Sequence, residues 1–203
     1  MSDPNRTIAF QGALGAYSDL AGRTAYPAMT SLPCATFEEA FAAVREKRAQ
    51  LAMIPIDNSV AGRVADIHHL LPDSGLHIIG EHFQPVVHHL LAVKGATIAG
   101  LKTVHSHIHA LPQCRRIIAE LGLKPIVHAD TAGAVADVAA RQDPSEAAIS
   151  SSLAGEIYGL RSLRADVADQ ANNTTRIVVM SREPIDPEPS QGPIITSFVF
   201  RVR

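Results

Sequence analysis

The feature that most constrains this chain is a local pattern that keeps recurring: a short apolar run, then glycine or small hydroxyl and amide residues, then a helical stretch. Residues 7–10 lead to Gly12, Gly15 and Ser18, and residues 51–56 lead to Asn58 and Ser59. Residues 102–104 lead to Ser106, residues 125–128 to Thr131, and residues 147–150 to Ser151 and Ser152. The stretches between them, 37–46, 111–121, 132–140 and 153–158, are rich in alanine and leucine, with apolar positions three and four apart. Runs of strand length alternating with helical periods predict an α/β fold with mostly parallel sheets, and further strands are expected at 76–79, 86–93 and 177–180. A chain of 203 residues that is 46% hydrophobic can bury a real core, as one large domain or as two lobes sharing a cleft; the two sets of strands favour two lobes.

In an open α/β sheet, residues just past the carboxyl ends of strands line the ligand crevice. Helix amino termini there offer free N–H groups and partial positive charge. The expected ligand is therefore a small anion with more than one carboxylate or phosphate. Each serine, threonine or asparagine taken singly is an ordinary helix cap; repetition at successive strand ends is what points to a site. Gly12-x-x-Gly15 lacks the rest of a dinucleotide fingerprint and no Walker lysine follows, so no nucleotide site is expected. The segment Asn172-Asn173-Thr174-Thr175-Arg176, at the entrance to the strand at 177–180, offers hydroxyl, amide and guanidinium together. An arginine suits bidentate carboxylate binding, and the plainer alternative is a turn with Arg176 in a surface salt bridge.

Several classes of function are disfavoured. A net charge of −2, no tryptophan and 4% aromatic residues give neither the basic stripe nor the stacking platform of a nucleic-acid binder. No apolar stretch reaches membrane-spanning length, and the polar start lacks the pattern of an export signal, so a cytoplasmic location is expected. Cys34 and Cys114 have no zinc-ligand or redox spacing. His105, His107 and His109 would share one face if the strand continued through them, a possible zinc set. The helical pattern beginning at Ala110 instead suggests that the strand has already ended, and no carboxylate or cysteine completes a ligand shell, so no metal is expected. His68, His69, His88 and His89 read as partly buried or capping residues. No G-x-S-x-G elbow is present.

Taken in order, the segments resemble the catalytic domain of prephenate dehydratases. The opening glycine loop is similar to Gly12-Ala13-Leu14-Gly15-Ala16-Tyr17-Ser18, and the family's P-I-E-N-S-x-x-G-x-V block to Pro55-Ile56-Asp57-Asn58-Ser59-Val60-Ala61-Gly62-Arg63-Val64. S-H-P-Q-A-L-x-Q-C resembles Ser106-His107-Ile108-His109-Ala110-Leu111-Pro112-Gln113-Cys114. A-A-I-A-S and Y-G-L match Ala147-Ala148-Ile149-Ser150-Ser151 and Tyr158-Gly159-Leu160, and N-x-T-R-F matches Asn173-Thr174-Thr175-Arg176-Ile177. The chain departs from the family at Asp57, in place of glutamate, at Ile108 and His109, in place of proline and glutamine, and at Ile177, in place of phenylalanine.

The resemblance implies two α/β lobes like those of type 2 periplasmic binding proteins, with the active site in the interlobe cleft. It implies a catalytic domain over 6–182 with its second lobe at roughly 81–163, a proline-rich linker over 183–193, and, at 194–203, the first strand of a truncated ACT regulatory domain. The implied reaction converts prephenate to phenylpyruvate, water and carbon dioxide, in phenylalanine biosynthesis, without metal or cofactor. It makes Thr175 the essential hydroxyl and Asn58, Ser59, Ser106, Gln113 and Arg176 the substrate binders. Ser18 and Thr131 would contribute at helix ends, and Asp57 would orient a donor. A homodimer is expected, with L-phenylalanine as an inhibitor only where the ACT domain is complete. Arogenate as substrate, or a non-catalytic small-anion module of the same fold, are the alternatives.

Overall fold

Apolar runs do become strands in the computed structural model, which describes residues 3–186 and residue 188, and they form two sheets. The first sheet holds β1 (Thr7–Gln11), β2 (Thr30–Cys34), β3 (Leu51–Asn58), β4 (Gly62–Arg63), β5 (His77–Pro85) and β11 (Thr174–Ser181). Its order is β2-β1-β3-β11-β5, with β4 paired to β3. The second holds β6 (His89–Ala92), β7 (Thr103–His107), β8 (Lys124–His128), β9 (Glu146–Ser150) and β10 (Arg161–Arg164), in the order β10-β6-β9-β7-β8. The helices are α1 (Tyr17–Ala25), α2 (Phe37–Arg45), α3 (Ala65–Leu70), α4 (Arg115–Glu120), α5 (Thr131–Arg141) and α6 (Ser152–Tyr158). Each sheet with its helices is one lobe. No helix among the described residues is long and apolar enough to cross a membrane. The strand expected at 194–203, and most of the linker expected before it, lie outside the described residues.

Both sheets are mixed, and in each most strands run in one direction, as expected, with antiparallel strands set among them. β1 is parallel to β2 and β3, and β7 to β8 and β9. A crossover helix returns the chain to the end where the previous strand began, so strands joined that way run parallel. β6 and β11 instead enter from the other lobe: β6 lies antiparallel between β9 and β10, and β11 antiparallel between β3 and β5. Local patterning carries no record of these exceptions.

Other departures have local causes. The strand expected at 86–93 is interrupted, because β5 runs on to Pro85 and the chain crosses between lobes at Val86 to His88 before β6 begins. Val86 N–H donates to the Asn173 carbonyl, 2.8 Å, and Val167 N–H to the His88 carbonyl, 2.9 Å, so the crossing is tied to the returning chain. The helix expected at 111–121 is a 3₁₀ turn, Leu111–Cys114, followed by α4, with Pro112 in the turn. β2 and β10 are edge strands carrying Pro33 and two arginines, polar and broken signals typical of edges, and neither stood out as an apolar run. β7 extends through His107, so His105 and His107 do share a strand face, with His109 beyond it. The His105 Nδ1 lies 2.9 Å from His128 Nε2, while the rings of His107 and His109 lie 5.1 Å apart.

One core runs through both lobes. Ile8, Phe10, Met53, Ile177 and Val179 of the first sheet pack in a single buried cluster with Leu91, Val135, Ala148 and Ala154 of the second lobe. The glycine loop makes the closest approach. Gly15 has φ +89°, and a Cβ there would sit 2.5 Å from the Ala154 Cα, so neither a side chain nor an ordinary backbone conformation is tolerated. Its carbonyl accepts from the Ser151 hydroxyl, 2.6 Å, and its N–H donates to the Asp19 carboxylate, 2.8 Å. Two loop residues away, Ala13 N–H reaches Asp130, the cap of α5, at 3.4 Å.

Gly15→Ala combines left-handed strain with a backbone clash, a cost of about 3 kcal/mol. We expect a drop of about 10 °C in the thermal midpoint for a chain of this size. A midpoint within about 2 °C of wild type in calorimetry would show that the lobes are free to separate at this point.

Candidate active site

The two lobes enclose a cleft of about 740 Å³, lined by the α1 and α5 amino termini, the β3–β4 turn, the interlobe crossing and the entrance of β11. Five residues expected at the site line it: Thr175, Asn58, Gln113, Ser18 and Thr131.

Thr175, the second residue of β11, lies directly opposite Asn58 on β3. The Asn58 carbonyl oxygen accepts from the N–H groups of Val60 and Ala61, at 3.0 and 2.8 Å. That pins the amide so that its nitrogen faces the cleft, where it donates to Thr175 Oγ1 at 2.9 Å and to Asn173 Oδ1 at 2.7 Å. With its oxygen accepting, the Thr175 hydroxyl has its own hydrogen left to donate, and among the described residues no protein acceptor takes it. Gln113 is held by protein at both ends of its amide: Nε2 donates one hydrogen to the His109 carbonyl at 2.8 Å, and Oε1 accepts from Asn173 Nδ2 at 2.6 Å and lies 3.2 Å from His88 Nε2. It stands with Asn173, Ala61 and His109 in the wall of a second cavity of about 420 Å³. Ser18 lies in the first turn of α1, where Ala16 at the cap position provides no side-chain acceptor. Thr131 begins α5, which Asp130 caps by accepting from Gly133 N–H at 2.8 Å.

Four expected residues are not brought to the cleft. Arg176 and Asp57 are the strand neighbours of Thr175 and Asn58, and consecutive strand residues face opposite sides. The Arg176 Nε makes an ion pair with Glu81 at 2.7 Å, which is the plainer alternative for that arginine. The Asp57 carboxylate accepts from the N–H of Asn58. The Ser59 hydroxyl locks the β3–β4 turn onto β11, donating to the Asn172 carbonyl at 3.2 Å and accepting from Thr174 N–H at 2.9 Å. Ser106 is fully buried and donates to the Ile149 carbonyl at 2.6 Å, joining β7 to β9.

The cleft also contains residues that the sequence reading did not select. Arg63, on β4, is exposed in the cleft with no ion-pair partner among the described residues, whereas Arg176 has one. Its sequence signal was weak, a single basic residue after Gly62 at a position the family pattern leaves open. Tyr17, His88, His107 and His109 add to the polar lining. Burial pushes the Tyr17 phenol well above its ordinary range and lowers both His88 and His107, so these rings are neutral at neutral pH. Near the cleft wall, burial raises the Cys114 thiol to about 12, which leaves it unreactive. Glu38, Asp66 and Asp130 supply acidic groups to the same lining. Among the described residues no group of three or more histidine, cysteine or carboxylate side chains is placed to hold a metal.

Comparison with known proteins agrees with this architecture. The family model for prephenate dehydratase matches residues 8–185. A bifunctional N-acyl-homoserine lactone acylase/prephenate dehydratase from Komagataeibacter europaeus is 50% identical over 197 residues, which cover 97% of this chain and 70% of that protein. Arogenate dehydratase 3 of Arabidopsis thaliana is 42% identical over 98% of this chain but only 47% of its own length, so the chain spans about half of such plant relatives. The crystal structure of a prephenate dehydratase from Arthrobacter aurescens in complex with L-Phe superposes with a TM-score of 0.82 at 30% identity, over 90% of this chain and 62% of that one. A quorum-quenching acylase structure, GqqA, superposes at 0.83 with 52% identity, over 91% of this chain and 67% of that one. With a family match spanning nearly all the described residues, the chain belongs to the prephenate dehydratase family.

Proposed function

We propose that this chain catalyses the decarboxylating loss of water from prephenate, yielding phenylpyruvate. The observation that carries the reading is the Thr175 hydroxyl, held as an acceptor by Asn58 with its hydrogen free toward the cleft. In the reaction the bond from the ring to its carboxylate breaks and carbon dioxide leaves. The electron pair moves through the ring as it becomes aromatic, and the hydroxyl on the opposite ring carbon departs, taking up one proton that solvent supplies to become water. Aromatisation supplies the driving force. What the protein must provide is alignment and stabilisation of charge on the departing oxygen. A threonine hydroxyl is a weak acid, so Thr175 acts by hydrogen bonding to that oxygen as negative charge builds.

Arg63 suits the side-chain carboxylate of the substrate. A cation set on the ring carboxylate would stabilise a charge that the transition state is losing, and so would slow the reaction. The ring carboxylate fits better against apolar lining such as Ala16, Phe37 and Val86. The α1 amino terminus beside Ser18 adds N–H groups and partial positive charge.

Two relatives' names bear on the choice of substrate. Arogenate carries an ammonium in place of the keto group, and Glu38 and Asp66, in the same cleft as Arg63, are suited to it. An acylase activity requires an activated nucleophile. Among the described residues, no serine, threonine or cysteine lining this cleft is hydrogen-bonded to a histidine, so the geometry favours elimination over acyl transfer.

The test is to incubate purified protein with prephenate or arogenate, following phenylpyruvate by its absorbance in alkali and phenylalanine by chromatography. Product formed well above the spontaneous rate supports the reading; ligand binding without turnover overturns it in favour of a binding module. Thr175→Val, which keeps the shape and removes the hydroxyl, should lower kcat by about a hundredfold or more with the thermal midpoint preserved. Near-normal kcat would remove Thr175 from the role. Arg63→Ala should raise KM by about tenfold with a smaller effect on kcat; a loss confined to kcat would place the arginine on the reacting groups instead.

A further inference from the structure

The hydroxyl of Thr175 is the end of a longer chain of hydrogen bonds whose other end is a buried histidine in the crossing between lobes. From His88 Nε2 through Gln113 to Thr175, donor and acceptor directions follow from chemistry alone. The His109 carbonyl can only accept, so the group facing it is the Gln113 NH₂, and Gln113 Oε1 faces inward. Oε1 carries no hydrogen, so both groups that contact it must donate: Asn173 Nδ2 at 2.6 Å and His88 Nε2 at 3.2 Å. A neutral imidazole with its hydrogen on Nε2 has a lone pair on Nδ1, and the Tyr17 hydroxyl lies 2.9 Å from that atom. The same phenol oxygen is 2.9 Å from the Val87 carbonyl, a second acceptor for its hydrogen. Since Asn173 uses its nitrogen on Gln113, it presents its oxygen to Asn58. Asn58 then has its nitrogen for Thr175.

The residues in this chain come from both lobes and from both crossings. Tyr17, Asn58 and Thr175 belong to the first lobe, Gln113 to the second, and His88 and Asn173 to the segments that pass between them. His88 is 2% exposed, so water does not compete for its ring nitrogens, and burial keeps the ring neutral.

We infer that His88 is a positioning residue for Thr175: as the Nε2–H tautomer it holds Gln113, and through Gln113, Asn173 and Asn58 it fixes the direction in which the Thr175 hydroxyl donates. This rests on the proposed role of that hydroxyl. Its consequence is that a side chain which does not line up with the reacting atoms controls turnover more than substrate affinity. It also means that the seating of one lobe on the other is reported at the catalytic hydroxyl.

Two variants and one spectrum test it. His88→Leu removes both ring hydrogen bonds, whereas His88→Gln keeps an N–H that reaches Gln113 Oε1. We expect His88→Leu to lower kcat by between about tenfold and a hundredfold, as for a misaligned group, with KM within about threefold of wild type. His88→Gln should recover most of that loss. In ¹⁵N spectra of the histidine-labelled protein, the resonances absent from His88→Gln identify His88, and they should show the Nε2–H tautomer. An Nδ1–H tautomer, unchanged kcat in His88→Leu, or equal damage by both variants would each overturn the inference. Should Thr175→Val abolish turnover while His88→Leu leaves it intact, the relay fails and the proposed function stands. Should the wild-type protein act on neither prephenate nor arogenate, the proposed function fails, and the tautomer measurement alone still decides whether the hydrogen-bond chain is built as described.

Discussion

The rest of the molecule depends on how the glycine loop of the first lobe seats against the start of α6 in the second. Gly15 approaches Ala154 so closely that any side chain would collide with backbone, and the Ser151 hydroxyl fastens its carbonyl in the same place. That contact lies within a core to which both sheets contribute, from Phe10 and Ile177 on one side to Leu91 and Val135 on the other. Opening the lobes would return these side chains to water at a cost of about 25 cal/mol for each Å² of apolar surface exposed. The cleft is therefore a standing slot whose walls are in place before a ligand arrives, and binding does not have to include domain closure.

Within that slot the chemistry depends on which atoms are already committed to the protein. Asn58 has its oxygen tied to two backbone N–H groups and both hydrogens of its nitrogen used, and Gln113 is bonded at both ends of its amide. Such groups hold and orient; they have little left for a substrate. Thr175 and Arg63 differ, the first in having a hydrogen to give and the second in having a charge without a partner among the described residues. The division between framework and working groups lies in the hydrogen-bond accounting, because residue type alone does not reveal it.

That accounting also explains how much of the site was legible in the sequence. Strand ends that run out into small polar residues were a sound guide to the cleft for Asn58, Ser18 and Thr131, whereas Thr175, at a strand entrance, and Gln113 were marked by the family resemblance, and all five line it. Ser59 and Ser106 have the same chemistry at the same kind of position, yet their hydroxyls are used to fasten strands. Arg176 and Asp57 belong to the most recognisable blocks and still point away, since a block of matched letters does not carry the alternation of faces along a strand. Arg63 went unselected for the opposite reason: a resemblance highlights fixed positions, and this arginine occupies an open one. In the fold, strand positions and their prevailing direction were largely readable, while the exceptions were not, because β6 and β11 take their direction from the lobe they come from.

The position of β11 has a further consequence, for the order in which the molecule is completed. It is the last strand in the described sequence, yet it lies inside the first sheet, with β3 on one side and β5 on the other. Among the described residues β5 has no other neighbour in that sheet. Until residues 174–181 arrive, β5 lacks its one pairing strand among the described residues and Asn58 has no threonine opposite it. Such pairing between distant parts of a chain is slow to form. A nascent or partly unfolded chain can thus have its second lobe built and still lack both the closed first sheet and the hydroxyl on which turnover is proposed to depend, so that completing the fold and acquiring the active site are one event.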